Sequence, residues 1–181
     1  MNAVVPTAAG LALGVAAAAA VYDWRRGEIP NWLTLPPVVL APCVYGLAFG
    51  IEHALHSLAA AFLGGLVPYV LFRWGAMGGG DVKLFGALGA ITGFDLLIGV
   101  EIQLAALLVA LIAASGALAW KGRLLGTIAN ALAVGLGPLL PLRWRRTRCV
   151  ELSTPIRMGG SIFVATGFFA GPQLMLAWSA P

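Results

Sequence analysis

Apolar runs separated by short polar breaks set the layout of this chain. Runs from about Val4 to Tyr22, Trp32 to Gly50, Ala54 to Phe72, Val82 to Ile98, Ile102 to Trp120 and Ile156 to Trp178 each approach the length needed to cross a hydrocarbon core. The breaks carry most of the polar residues: Asp23 to Glu28, Glu52 to His56, Arg73 to Asp81, Asp95 to Glu101 and Lys121 to Arg123. The pattern predicts an all-α fold, a polytopic membrane bundle of about six transmembrane helices forming one domain over residues 1–181. Pro36, Pro37 and Pro42 remove backbone donors from the second span and predict a bend with irregular first turns. Gly86, Gly89 and Gly93 recur at three-to-four spacing in the fourth, which predicts close helix approach.

Composition agrees with this reading. Of 181 residues, 60% are hydrophobic and 10% charged, and the mean hydropathy is +0.93, outside the range of soluble domains. The spans use nearly the whole length and leave no room for a separate soluble domain. No basic region precedes the first apolar run, so residues 4–22 are read as a retained span and not as a signal peptide.

Charge then decides the topology. The net charge of +4 and pI near 9.6 do not indicate nucleic acid, because the basic residues sit in short loops between spans. The stretch Leu124 to Leu142 is apolar enough to cross, yet it holds Gly126, Gly135, Gly137, Pro138 and Pro141. If it does not cross, all 11 Lys and Arg residues fall on one side, which is then the cytoplasm. Residues 124–155 are therefore expected to form a cytoplasmic interfacial or re-entrant segment. Its Arg143 to Arg148 cluster suits anionic lipid headgroups, at about 1 kcal/mol per basic residue. The same topology puts Asp23, at the end of a span entering the cytoplasm, and Asp81, at the start of one leaving it, on the same membrane face.

These two carboxylates are the candidate chemistry. Taken alone, each has a simpler reading: Asp81 as a helix N-cap after a glycine turn, Asp23 as a span-end residue paired with Arg25, Arg26 or Lys83. Held together, two carboxylates share a proton, so that one activates water while the other protonates a carbonyl or leaving amine. A helix N-terminus beside Asp81 favours its anion and a C-terminus beside Asp23 disfavours it, so Asp81 leans towards base and Asp23 towards acid. Gly78, Gly79 and Gly80 are expected to permit positive φ and to let substrate backbone approach Asp81. Glu28 is a candidate contact for a basic peptide.

A resemblance sharpens this. Asp23 with Gly27-Glu28-Ile29-Pro30-Asn31-Trp32-Leu33-Thr34, followed by Met77-Gly78-Gly79-Gly80-Asp81-Val82-Lys83-Leu84-Phe85-Gly86, resembles the two signature motifs of the type IV prepilin peptidases, GxGD-type aspartic proteases. The resemblance implies that Asp23 and Asp81 are catalytic and that Gly78 and Gly80 are the motif glycines; Gly78, Gly79, Gly80, Lys83, Glu28 and Asn31 are the residues expected to position substrate. It implies removal of a basic leader from prepilin-like precursors at the cytoplasmic boundary of the inner (plasma) membrane, with no cofactor and no metal. Longer members also methylate the new N-terminus and carry paired cysteines. The chain shows neither feature, so no methyltransferase activity is expected, and it looks most like the short peptidases serving tight-adherence (Flp) pili. Thr154-Pro155-Ile156-Arg157-Met158-Gly159-Gly160 resembles the start of the family's last span with a glycine where a proline is expected, and is assigned no role.

Other polar residues yield less. His53 and His56 share a helix face with Glu52 nearby, but they fall on the expected outer side, away from both aspartates, as do Asp95 and Glu101. Cys43 and Cys149 form no CxxC pair. The expected partners are a prepilin-like substrate and membrane lipids, with the oligomeric state open. Two further readings remain: a presenilin-like protease cutting within the bilayer, and a small transporter or scaffold using the aspartates as a proton relay or ion pair.

Overall fold

The computed structural model describes residues 4–120, 122 and 158–179. These residues form α1 (Val4–Arg26), α2 (Asn31–Phe49), α3 (Ile51–Arg73), α4 (Gly79–Ile91), α5 (Ile98–Trp120) and α6 (Gly159–Ser179), with no strand among them. The fold is an all-α polytopic bundle. By packing, the chain divides into two units, residues 1–109 with 157–181, and residues 110–156. The first holds α1 to α4, the start of α5, and α6; the second begins within α5.

Two antiparallel pairs dominate the first unit. In one, α1 presents a seam of buried alanines, Ala8, Ala9, Ala12, Ala16 and Ala19, recurring at helical spacing. Small side chains let α6 lie close, with Gly10 beside Leu174, Leu13 beside Gly167 and Ala20 beside Gly159. In the other pair, α3 and α4 meet through backbone. A side chain at Gly89 would run into the Ala60 carbonyl, and one at Gly93 into the Ser57 backbone. The close approach expected of Gly89 and Gly93 is therefore present.

The far end of α4 is tied down by side chains. Three hydroxyls donate to its last carbonyls, two of which, Leu88 and Ala90, also accept backbone N–H bonds from Thr92 and Gly93. Tyr45 donates to the Ile91 carbonyl at 2.7 Å, Ser57 to that of Ala90 at 2.8 Å and Thr92 to that of Leu88 at 2.9 Å. After Thr92 the chain turns, and the Asp95 carboxylate accepts the Leu97 N–H at 3.0 Å just before α5 begins.

Several boundaries differ from those expected. The fourth run yields only the 13 residues of α4, a rise of about 20 Å, because the chain leaves the helix at Thr92. The other five helices are long and apolar enough to cross a membrane. The second span has no irregular start: α2 is helical from Asn31 through all three prolines, preceded by extended Pro30. Asp23 does not follow the first helix but lies in its last turn, since α1 continues to Arg26. Residues 124–155, with the arginine cluster, Cys149 and Glu151, lie outside the described residues; Cys43 is a free, exposed thiol.

Candidate active site

The end of α1, the loop after it and the start of α4 enclose a cavity of about 440 Å³, lined by Tyr22, Asp23, Arg26 to Asn31 and Gly78 to Asp81. It gathers both sequence motifs. Asp23 and Asp81 are 7% and 9% exposed, unusual for carboxylates unless something holds them.

Local sequence explains how each arrives there. Asp23 sits one turn before the end of α1, and Gly27, at φ 70, closes that helix with its N–H on the Asp23 carbonyl at 2.9 Å. Gly27 thereby turns the chain into the cavity rim, Glu28 to Asn31. Arg26 folds back with its guanidinium carbon 5.5 Å from the Tyr22 ring centroid, and Tyr22 meets Trp32 edge-on at 5.6 Å. These rings join the end of α1 to the start of α2.

Asp81 lies in the first turn of α4, outside the candidate spans. Burial first, and the Asp23 carboxylate second, push its carboxyl up from 3.8 to about 6, while a hydrogen bond from the Gly78 backbone works the other way. The upward effects win. Both carboxylates line the same cavity.

The glycines act differently from expectation. Positive φ occurs among the described residues at Gly27, Gly50, Gly75 and Gly122, not at Gly78, Gly79 or Gly80. Gly78 is extended, at φ −75 and ψ 146, and Gly79 and Gly80 already belong to α4. Their contribution is missing bulk: a Cβ at Gly80 would approach Ile29 to 3.1 Å and one at Gly78 the Asp81 carboxylate to 3.2 Å.

Of the other expected positions, Glu28 and Asn31 line the cavity and are exposed. Lys83 does not line it. Instead its ammonium donates to the Asn31 side chain at 2.8 Å, linking the two motifs across 52 residues, where a pairing with Asp23 was one of the readings. Asp23 has a different partner, which sequence reasoning missed. Gly159, the first residue of α6 and 136 residues away, donates its backbone N–H to Asp23 Oδ2 at 2.9 Å. The Met158-Gly159-Gly160 stretch had stood out, but nothing in sequence spacing pointed it at Asp23. Tyr22 and Arg26 were likewise not anticipated as lining residues.

Two buried carboxylates lining one cavity suit proton exchange with a water and a carbonyl held between them. Comparison with known proteins bears on the same residues: a family model described as the Type IV leader peptidase family matches residues 10–139. No curated protein and no solved structure matches the chain. The matched stretch includes both carboxylates, the loop between α1 and α2 and the glycines before α4, and it spans well over half of the sequence; this chain belongs to the Type IV leader peptidase family.

Proposed function

We propose that this leader peptidase is an aspartic endopeptidase in which Asp23 and Asp81 form the catalytic dyad. The observation that carries the proposal is their meeting: two carboxylates from distant helices, both buried, line one cavity and raise the proton affinity of Asp81. A water between them loses a proton to one as the other protonates the scissile carbonyl, which is the division of labour that coupled aspartates perform. Gly78 leaves the space beside the Asp81 carboxylate free of a side chain, Gly79 and Gly80 admit Phe72 and Ile29 close to the helix start, and Asn31 is held at the rim by Lys83. Glu28, exposed at that rim, offers a carboxylate to a basic leader.

The substrates are prepilin-like precursors of the tight-adherence (Flp) type, cut where a basic leader meets the apolar segment. Orientation follows from charge: Arg25, Arg26, Arg73 and Lys83 all lie at the cavity's end of their helices, which makes that end cytoplasmic in the inner membrane.

Co-expression of a prepilin with the wild type, Asp23→Asn and Asp81→Asn tests the dyad. Each variant is expected to reach the membrane in normal amount and to lose leader removal by about 1000-fold. Full processing by either one removes that residue from catalysis.

A further inference from the structure

The buried seam of α1 does not stop at its alanines. Ala12, Ala16, Ala19 and Asp23 follow one another at spacings of four, three and four, which is one face of a helix, and all of them are buried. Asp23 thus takes the next place along the face on which α6 lies. Because α6 runs antiparallel to α1, its first residue arrives there: Gly159 stands beside Ala20, and its backbone N–H reaches Asp23 Oδ2 at 2.9 Å.

Two features tie this contact to glycine and to the helix start. The first N–H groups of a helix have no acceptor within it. The ladder of α6 begins with the Ile162 N–H on the Met158 carbonyl, so the Gly159 N–H is a donor that the helix leaves over, and Asp23 accepts it. The second feature is space. A Cβ on Gly159 would stand 2.8 Å from the Asp23 Cβ, 2.9 Å from its Oδ2 and 3.2 Å from the Ala20 Cα. Two of those three atoms are fixed by the α1 backbone, so no rotamer change relieves the crowding. The start of α6 would have to draw back from α1 and take its N–H with it. At the next position, Gly160, a Cβ would meet nothing within 4 Å. Glycine is required sterically at 159 and not at 160.

We propose that Gly159 is a positioning residue for Asp23: its N–H fixes the rotation of the carboxylate by holding Oδ2, and so leaves Oδ1 as the oxygen that meets water and substrate in the cavity. This rests on the dyad reading above and deepens it. The terminal torsion of an aspartate is broad and two-fold, so nothing within Asp23 itself distinguishes its two oxygens. A donor from a second helix does. Asp81 has a comparable neighbour in Gly78, where an added Cβ would come within 3.2 Å of Asp81 Oδ2. The two glycines differ in origin. Gly78 is local to its aspartate, next to the helix that carries it, whereas Gly159 is brought to Asp23 by the packing of α6 along α1 across 136 residues. The geometry of Asp81 is therefore built within one short segment, and that of Asp23 depends on the register of two helices.

Gly159→Ala and Gly160→Ala, purified in detergent and assayed on a prepilin peptide, form the test. Gly160→Ala should match the wild type in kcat and KM. Gly159→Ala should lose about 30-fold in kcat with KM within about threefold, since the cavity still accepts the peptide while the reacting oxygen is out of place. Wild-type kcat in Gly159→Ala, a loss carried by KM, or an equal loss in Gly160→Ala overturns the proposal. A second measurement depends neither on activity nor on the folding of a glycine variant. In hydrogen exchange of the full chain followed by NMR, the Gly159 amide should exchange about 10-fold faster in Asp23→Ala, which removes its acceptor, than in the wild type. The Ile162 amide, bonded within α6, should keep its rate. An unchanged Gly159 rate overturns the proposal. The dyad is tested separately by Asp23→Asn: full processing by that variant removes Asp23 from catalysis and overturns both readings, whereas lost processing there with wild-type kcat in Gly159→Ala overturns this one alone.

Discussion

The two antiparallel contacts of the first unit both depend on glycine, and they use it for different ends. Between α3 and α4, the missing side chains of Gly89 and Gly93 face backbone, the Ala60 carbonyl and the Ser57 main chain. Between α1 and α6, the missing side chain of Gly159 faces a carboxylate. At the first contact the polar groups nearby are hydroxyls, which donate to the last carbonyls of α4, and no carboxylate is among them. At the second, a backbone N–H is spent on Asp23. A steric need for glycine thus says nothing about role until the atom facing the absent Cβ is known. One contact closes the bundle, and the other admits an ionisable group into it.

The comparison breaks most readily at the backbone contact. Gly89→Leu forces a branched side chain against the Ala60 carbonyl, where no rotamer can move the obstacle. It is expected to cost about 3 kcal/mol or more of stability, read as loss of the folded monodisperse species on thermal unfolding in detergent. Wild-type melting would mean that α3 and α4 do not rely on this approach.

At the carboxylate contact the next effect depends on pH. Asp81 carries a carboxyl raised to about 6 against an ordinary 3.8, so the fold favours its protonated form. Its stabilising contribution is complete below about pH 4 and is lost as pH rises through about 6. Asp81→Asn cannot ionise and escapes that loss. The stability difference between variant and wild type should therefore move in the variant's favour by about 2 kcal/mol from about pH 4 to about pH 7.5, in paired melts. A difference that stays constant, or moves the other way, would show that the site does not resist the Asp81 charge.

Much of this arrangement was legible in the residues. Apolar runs marked the helices, because a chain in lipid must satisfy its backbone within each segment. The placement of Asp23 and Asp81 at one end followed from counting basic residues between runs. What escaped had physical reasons. The early end of α4 is set by tertiary bonds from Tyr45 and Ser57, residues of other helices that no local pattern ties to Ile91 and Ala90. The three glycines before Asp81 suggested a left-handed turn, yet the positive φ lies at Gly75, where α3 closes. A glycine run signals that bulk is unwelcome without saying whether φ or a neighbour is the cause. The contact with Gly159 was hidden most completely, since a backbone N–H carries no residue identity and 136 residues separate it from its acceptor.

The smallest expected effect concerns the bond that joins the two motifs at the surface. Lys83 reaches Asn31 at 2.8 Å, but both residues are exposed, so water competes for each partner. Its net worth is therefore at most about 1 kcal/mol. Lys83→Met keeps the length of the stem and removes the donor; it should lower stability slightly and reduce kcat/KM by about threefold. Asn31→Ala should match it, and the double variant should be no worse than either single one, since both remove the same bond. The contrast with Gly159→Ala is the useful part. If geometry at Asp23 is set from within, by α6, cutting the outer tie loosens the rim and leaves Asp23 where it is. A loss after Lys83→Met as large as that after Gly159→Ala would mean that the surface tie between the motifs, and not the buried N–H, holds the two carboxylates in register.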